Sequence, residues 1–128
     1  MSGYKVIAID GPAGAGKSTI AKKLADMIGY TYIDSGAMYR AITLKVLREN
    51  IPLKKTDMLI SMAEKTDIDF RDNSIYLDGR AVNTEIREED VNRNVSYIAA
   101  ISEIRKLLVD IQRKISMNKN VVMDGRDV

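Results

Sequence analysis

Gly11-Pro12-Ala13-Gly14-Ala15-Gly16-Lys17-Ser18 is the stretch on which the reading of this chain turns. It satisfies the phosphate-loop pattern of glycine, four residues, glycine, lysine, then serine or threonine, and Thr19 follows it. With average residue frequencies the bare pattern arises by chance in roughly one chain in a few hundred of this length. The context narrows it further. Before the loop comes the apolar, strand-like run Val6-Ile7-Ala8-Ile9, and after it Ile20, Ala21, Leu24, Ala25 and Ile28 recur at helical spacing. Glycines at 11, 14 and 16 carry no Cβ, so successive backbone N–H groups can turn inward around a polyphosphate. The free N–H groups and positive dipole end of the following helix point at the same anion. Lys17 adds a cation for the β and γ oxygens of a nucleoside triphosphate, and the Ser18 hydroxyl suits Mg²⁺.

The rest of the composition limits the chemistry available. The chain has 128 residues, 45% of them hydrophobic, which is enough for one domain with a real core. Twenty Lys and Arg against 18 Asp and Glu leave a formal charge of +2 without a basic block, so neither a nucleic-acid nor a membrane surface is indicated. There is no Cys and no His, hence no disulfide framework, thiolate or imidazole base. Any catalysis runs on carboxylates, Lys, Arg and metal. No leader-like N-terminus and no run of membrane-spanning length is visible, and a cytoplasmic location is the default expectation.

In chain order, the loop and its helix run to Gly29, a helix terminator, and then into the β-prone run Tyr30-Thr31-Tyr32-Ile33-Asp34. That is a βαβ unit, which predicts a parallel sheet with ligands at the carboxyl ends of its strands. Ser35 is a candidate N-cap for a helix from about Ala37 to Glu49, stopped by Asn50 and Pro52, and Thr56 can cap a shorter helix. Between about Asp67 and Arg87 the pattern changes to short strands joined by Arg71-Asp72-Asn73 and Asp78-Gly79, a small antiparallel insertion in the α/β frame. Helices are expected over Glu88 to Ala100 and over Ser102 to Met117, the second with Ile104, Leu107, Leu108, Ile111 and Ile115 on one stripe. Val121-Val122-Met123-Asp124 reads as a third parallel strand ending in a carboxylate, the group that in phosphate-loop proteins holds Mg²⁺ directly or through water. This last strand lacks a crossover helix of its own to cover it, so a truncated domain is expected, lacking its C-terminal part.

GPAGAGKST after IAID, DSGAMYR at Asp34 to Arg40, NTEIR at Asn83 to Arg87 and DGRD at Asp124 to Asp127 together resemble the bacterial-type cytidylate kinases over the whole chain. The resemblance implies a phosphate-loop α/β core, a parallel sheet flanked by helices, of the nucleoside-monophosphate kinase kind. It carries a small antiparallel insertion that binds CMP, at about residues 67–87. The implied activity is Mg²⁺- and ATP-dependent phosphorylation of CMP and dCMP. The family's chains are nearly twice as long, so the resemblance further implies that more core strands and an arginine-bearing lid lie outside these residues. The complete protein is expected to be a monomer, whereas the fragment could self-associate through an uncovered sheet edge.

Carried over residue by residue, the ATP site falls on Gly11, Pro12, Ala13, Gly14, Ala15, Gly16, Lys17, Ser18 and Thr19. The acceptor-phosphate contacts fall on Ser35, Arg40 and Arg126, and cytosine reading on Ser96, Arg105 and Asp127. The chemistry is apt, because Arg presents a planar fork to phosphate and Asp accepts from an exocyclic amino group that uracil lacks. Lys17, Arg40 and Arg126 are the implied catalytic residues, with Ser18 on the metal and Asp124 orienting it through water. One departure is mild: Ser18 stands where many members of the family have glycine, and it supplies a metal-ligand hydroxyl. Arg87 can reach the monophosphate or pair with Glu85, Glu88 or Asp90. The tyrosines read as packing residues. Two other readings stand beside this one, a phosphate-loop kinase for another small acceptor such as shikimate or gluconate, and a catalytically silent nucleotide-binding fragment. A GTPase is disfavoured, since no Asn-Lys-x-Asp motif is present.

Overall fold

The computed structural model describes residues 4–9 and 17–124, with the side chains of Lys17 and Ser18 left aside. Strand β1 (Val6–Ile9) precedes the phosphate-loop stretch, and helix α1 (Lys17–Ile28) follows it. The helix closes at Gly29, whose φ of 73° is a conformation that side-chain-bearing residues rarely adopt, and Tyr30 N–H donates back to the Ala25 carbonyl. Strand β2 (Thr31–Asp34) runs directly into helix α2 (Ser35–Arg48). Asn50, also left-handed at φ 54°, ends this helix in the same way, with Ile51 N–H bonded to the Val46 carbonyl.

The caps of two helices differ from the sequence expectation, and α5 starts at Ser102 as expected. At α2 the cap is Asp34, whose Oδ1 accepts from Ala37 N–H at 3.2 Å, so Ser35 is the first helical residue instead of the cap. A strand-end carboxylate already sits where the free N–H groups emerge, and the helix begins earlier than Ala37 as a result. Helix α3 (Thr56–Glu64) starts from Lys55 and helix α5 (Ser102–Asn118) from Ile101, neither with a side-chain cap bond. The Ser102 hydroxyl donates instead to the Glu103 carboxylate at 2.7 Å, and Thr56 is inside its helix.

The insertion forms as expected. Strands β3 (Ile68–Arg71), β4 (Ser74–Leu77) and β5 (Arg80–Ala81) make an antiparallel sheet in the order β3-β4-β5. Its two connections are Asp72-Asn73 at φ 51° and 60° and Asp78-Gly79 at φ 50° and 86°. Positive φ at both central residues matches the twist of the flanking strands. A 3₁₀ turn (Glu85–Arg87) and helix α4 (Glu89–Ala99) then lead to α5 and to strand β6 (Val121–Asp124).

In the parallel sheet β6 lies between β1 and β2, giving the order β1-β6-β2. The last strand is therefore the central one and all four of its residues are buried, contrary to the expectation that it would lack cover. The first crossover skips one strand position, and β6 fills the gap. Its Val122 packs with Tyr32 against Ala21 and Ala25 of α1, while Val121 and Met123 enter the main core on the other face. Among the described strands β1 and β2 are the outer ones, and Val6 of β1 is half exposed. The insertion contributes Ile68, Phe70, Ile75 and Leu77 to the same core as Ile33 and Met38, so it is packed into the domain and is not a separate lobe. On α5 the fully buried stripe is Ile104, Leu108, Gln112 and Ile115, with Leu107 and Ile111 only partly covered.

Candidate active site

The register of the parallel sheet determines what meets at its carboxyl edge. Ile9 pairs with Asp124 and Asp34 pairs with Asp124, so the three strand ends lie in line. The phosphate-loop stretch follows Ile9 in sequence, and α2 follows Asp34. Its residues 10–16, like the DGRD residues Gly125, Arg126 and Asp127, lie outside the described residues. Lys17 and Ser18 open α1, and Thr19 is exposed on its first turn.

Asp34 and Asp124 stand on adjacent strands with like charges. Burial is the main cause that raises the Asp34 carboxyl above the ordinary carboxylate range; the Asp124 charge adds to the rise, and the Ala37 N–H bond partly offsets it. Tyr32 donates its hydroxyl to Asp124 Oδ2 at 3.0 Å and takes the Lys22 ammonium over its ring at 5.8 Å. A tyrosine expected only to pack thus also orients a strand-end carboxylate. Among the described residues no cluster of three or more acidic side chains could hold a metal alone. Two hard carboxylates at the edge where Ser18 begins α1 nonetheless fit Mg²⁺, which takes few protein ligands and completes its shell with water and phosphate oxygens.

Beside these carboxylates is a cavity of about 390 Å³ lined by Asp34, Gly36, Ala37, Arg40, Ile86, Arg87 and Asn92. Gly36 and Arg40 are one turn apart on α2 and share this face. A Cβ at Gly36 would come within 3.3 Å of Asp34 Oδ1, so a side chain there would crowd the carboxylate. Arg40 Nη1 donates to the Ile86 carbonyl at 3.3 Å and to Asn92 Oδ1. Arg87 lines the same space. Of the partners named for it, Glu85 lies 3.7 Å from Arg48 and Asp90 pairs with Arg93, and no ion pair joins Glu88 to Arg87 among the described residues. Among the described residues Asp34 is the only carboxylate lining the cavity with Arg40 and Arg87.

The other candidate residues are distributed differently. Ser35 is buried at 4% exposure and does not line the cavity. Ser96 is exposed on α4. Arg105 lies along α5 in a different cavity, of about 340 Å³, with Ser102, Lys106, Val109, Asp110 and Arg113. Neither Ser96 nor Arg105 lines the cavity of Arg40. Sequence reasoning passed over Asp34, Gly36, Asn92 and the Ile86 carbonyl. The strand-end rule that singled out Asp124 applies equally to Asp34 and would have found it. Nothing in the sequence signals Asn92, which reaches Arg40 across 52 residues of chain.

A parallel sheet with a phosphate-loop sequence after its first strand, and a guanidinium-lined cavity at the same carboxyl edge, defines a phosphate-loop α/β fold of the nucleoside-monophosphate kinase class. The comparisons with known proteins are more specific. The family model described as cytidylate kinase matches residues 7–128. The cytidylate kinase of Caldanaerobacter subterraneus subsp. tengcongensis is 58% identical over 122 residues, covering 95% of this chain and 54% of that protein. That of Alkaliphilus oremlandii is 54% identical, covering 95% and 56%, and that of Clostridioides difficile is 54% identical, covering 98% and 58%. The chain belongs to the cytidylate kinase family. It spans somewhat over half the length of the curated relatives it matches.

Proposed function

We propose that this chain forms the nucleotide-gripping part of an enzyme that transfers the γ-phosphoryl group of ATP to CMP and dCMP, giving the diphosphates. The observation that carries this reading is the strand register. With Ile9, Asp124 and Asp34 in line, the loop that would hold the donor and the cavity that would hold the acceptor open from one edge of one sheet. Had they opened from opposite ends, direct transfer would have been impossible.

Phosphoryl transfer needs positioning and charge neutralisation more than a strong base, which suits a chain without His or Cys. Lys17 and the backbone N–H groups of residues 11–16 would grip the donor phosphates, and Thr19 and Ser18 stand at the helix end of that grip. Ser18, and Asp124 through water, would hold Mg²⁺, which would supply positive charge to the donor phosphates. Arg40, Arg87, Arg126 and Ser35 would hold the acceptor phosphate, the guanidinium groups offsetting the repulsion between acceptor and donor phosphates. Ser96, Arg105 and Asp127 would read cytosine, the carboxylate accepting from its amino group. The location is proposed as cytoplasmic; no helix among the described residues is long and apolar enough to cross a membrane.

Isothermal titration with CMP and UMP tests the acceptor assignment. CMP binds and UMP binds far more weakly; equal affinities would overturn the cytosine reading. A coupled assay of ADP release on these 128 residues, beside a version extended to the length of the relatives, tests the rest. Turnover is expected only in the extended protein, and comparable turnover in both would refute the division of labour.

A further inference from the structure

Arginine binds phosphate well only when its fork is held still, because a long flexible side chain loses rotamer freedom on binding. The Arg40 fork is held on one side only. Nη1 is engaged by two protein acceptors, the Ile86 carbonyl and Asn92 Oδ1, whereas Nη2 and Nε have no hydrogen bond to the described residues. The two acceptors belong to the 3₁₀ turn and to α4, neither of which touches Arg40 through local sequence. Asn92 has a second contact. Its Nδ2 donates to the Arg87 carbonyl at 3.5 Å, at the long limit for such a bond, so one amide touches the head group of Arg40 and the main chain of Arg87. An amide is the side chain with both an acceptor and a donor at this reach; aspartate lacks the donor.

We propose that Asn92 is a positioning residue for the acceptor phosphate, fixing Nη1 of Arg40 so that the rest of the guanidinium fork is presented to the cavity it shares with Arg87. The role rests on the acceptor-site reading given above, and it is not a contribution to the core, because Asn92 is solvent-exposed. A ligand phosphate meets donors already aimed, and the entropy of ordering Arg40 is settled in the folded protein before binding. The arrangement also ties the acceptor site to the insertion, since the Ile86 carbonyl sits at its end.

The test is titration of the chain and of its Asn92→Ala, Arg40→Ala and doubly substituted forms with CMP and with cytidine, which lacks the phosphate. Asn92→Ala is expected to weaken CMP about tenfold, the scale of one orienting hydrogen bond to a charged group. It should leave cytidine binding and the melting temperature unchanged. In the Arg40→Ala background the same substitution should have no further effect, because its route of action is gone. Unchanged CMP affinity in Asn92→Ala, with Arg40→Ala impaired, overturns the positioning role alone. Additive losses in the double variant overturn it too, as would equal losses for CMP and cytidine. Failure of the unsubstituted chain to bind CMP overturns the acceptor-site reading and, with it, the role of Asn92.

Discussion

At the carboxyl edge of the parallel sheet, Asp34 and Asp124 are neighbours in register, and Asp34 forms no ion pair with a described residue; its carboxyl lies above the ordinary range through burial and the Asp124 charge. At the outer turn of the antiparallel sheet, Asp78 accepts from the Lys45 ammonium at 2.6 Å and from Asp67 N–H at 2.9 Å. Desolvation is the largest single cause and raises the carboxyl, but these partners together outweigh it, and the carboxyl lies below the ordinary range. The same residue type is stabilising in one sheet and destabilising in the other. A carboxylate whose work is structural is given a cation, whereas one placed beside a like charge at a strand end is left for a ligand to satisfy.

The strongest challenge to that contrast is Arg40→Ala. It should lower CMP affinity roughly 10- to 100-fold, the loss of charged hydrogen bonds to phosphate, while the melting temperature changes little. A large stability loss with intact CMP binding would mean that this edge is built for folding. Next is Gln112→Met. Gln112 is 1% exposed, and neither its amide nitrogen nor its oxygen finds a partner among the described residues. Removing this unpaired amide should stabilise the fold by about 1–3 kcal/mol, read from urea unfolding. The result calibrates the cost of burial that the Asp34 argument uses.

Asp34→Asn keeps the oxygen that caps α2 and removes the charge. Because the folded state holds the Asp34 proton to higher pH than the unfolded chain does, stability falls as pH rises from the ordinary carboxylate range to the raised value. The variant should therefore melt higher than the parent at about pH 7, and the gain should vanish below about pH 4. Asp78→Asn should do the reverse by a smaller amount. Its folded-state affinity for protons is lowered, so its stabilisation is present above the ordinary range and is lost as pH falls through the folded value. At about pH 7 the loss should be under about 1 kcal/mol, as for an ion pair in contact with water. Shifts of the same sign in both variants would erase the distinction between the two sheets.

Local chemistry made much of this legible in advance. The Asp72-Asn73 and Asp78-Gly79 turns, the stops at Gly29 and Asn50 and the strand ending in Asp124 each rest on neighbouring residues, whose conformational preferences act within a few positions. The caps were misjudged where Asp34 displaced Ser35 and where Lys55 stood in place of Thr56, because a cap is chosen by the direction from which the chain arrives.

By itself the sequence determined a phosphate-loop pattern between strand and helix, a hairpin insertion, a chemistry without thiol or imidazole and membership of a kinase class, since these depend on residue type and short spacing. Only the tertiary structure decided that β6 inserts between β1 and β2, that Asp34 stands beside Asp124, and that Asn92 holds Arg40. Those pairings join residues far apart in the chain. They follow from how apolar faces close on a common core, and no local pattern records which strand end comes to lie against which.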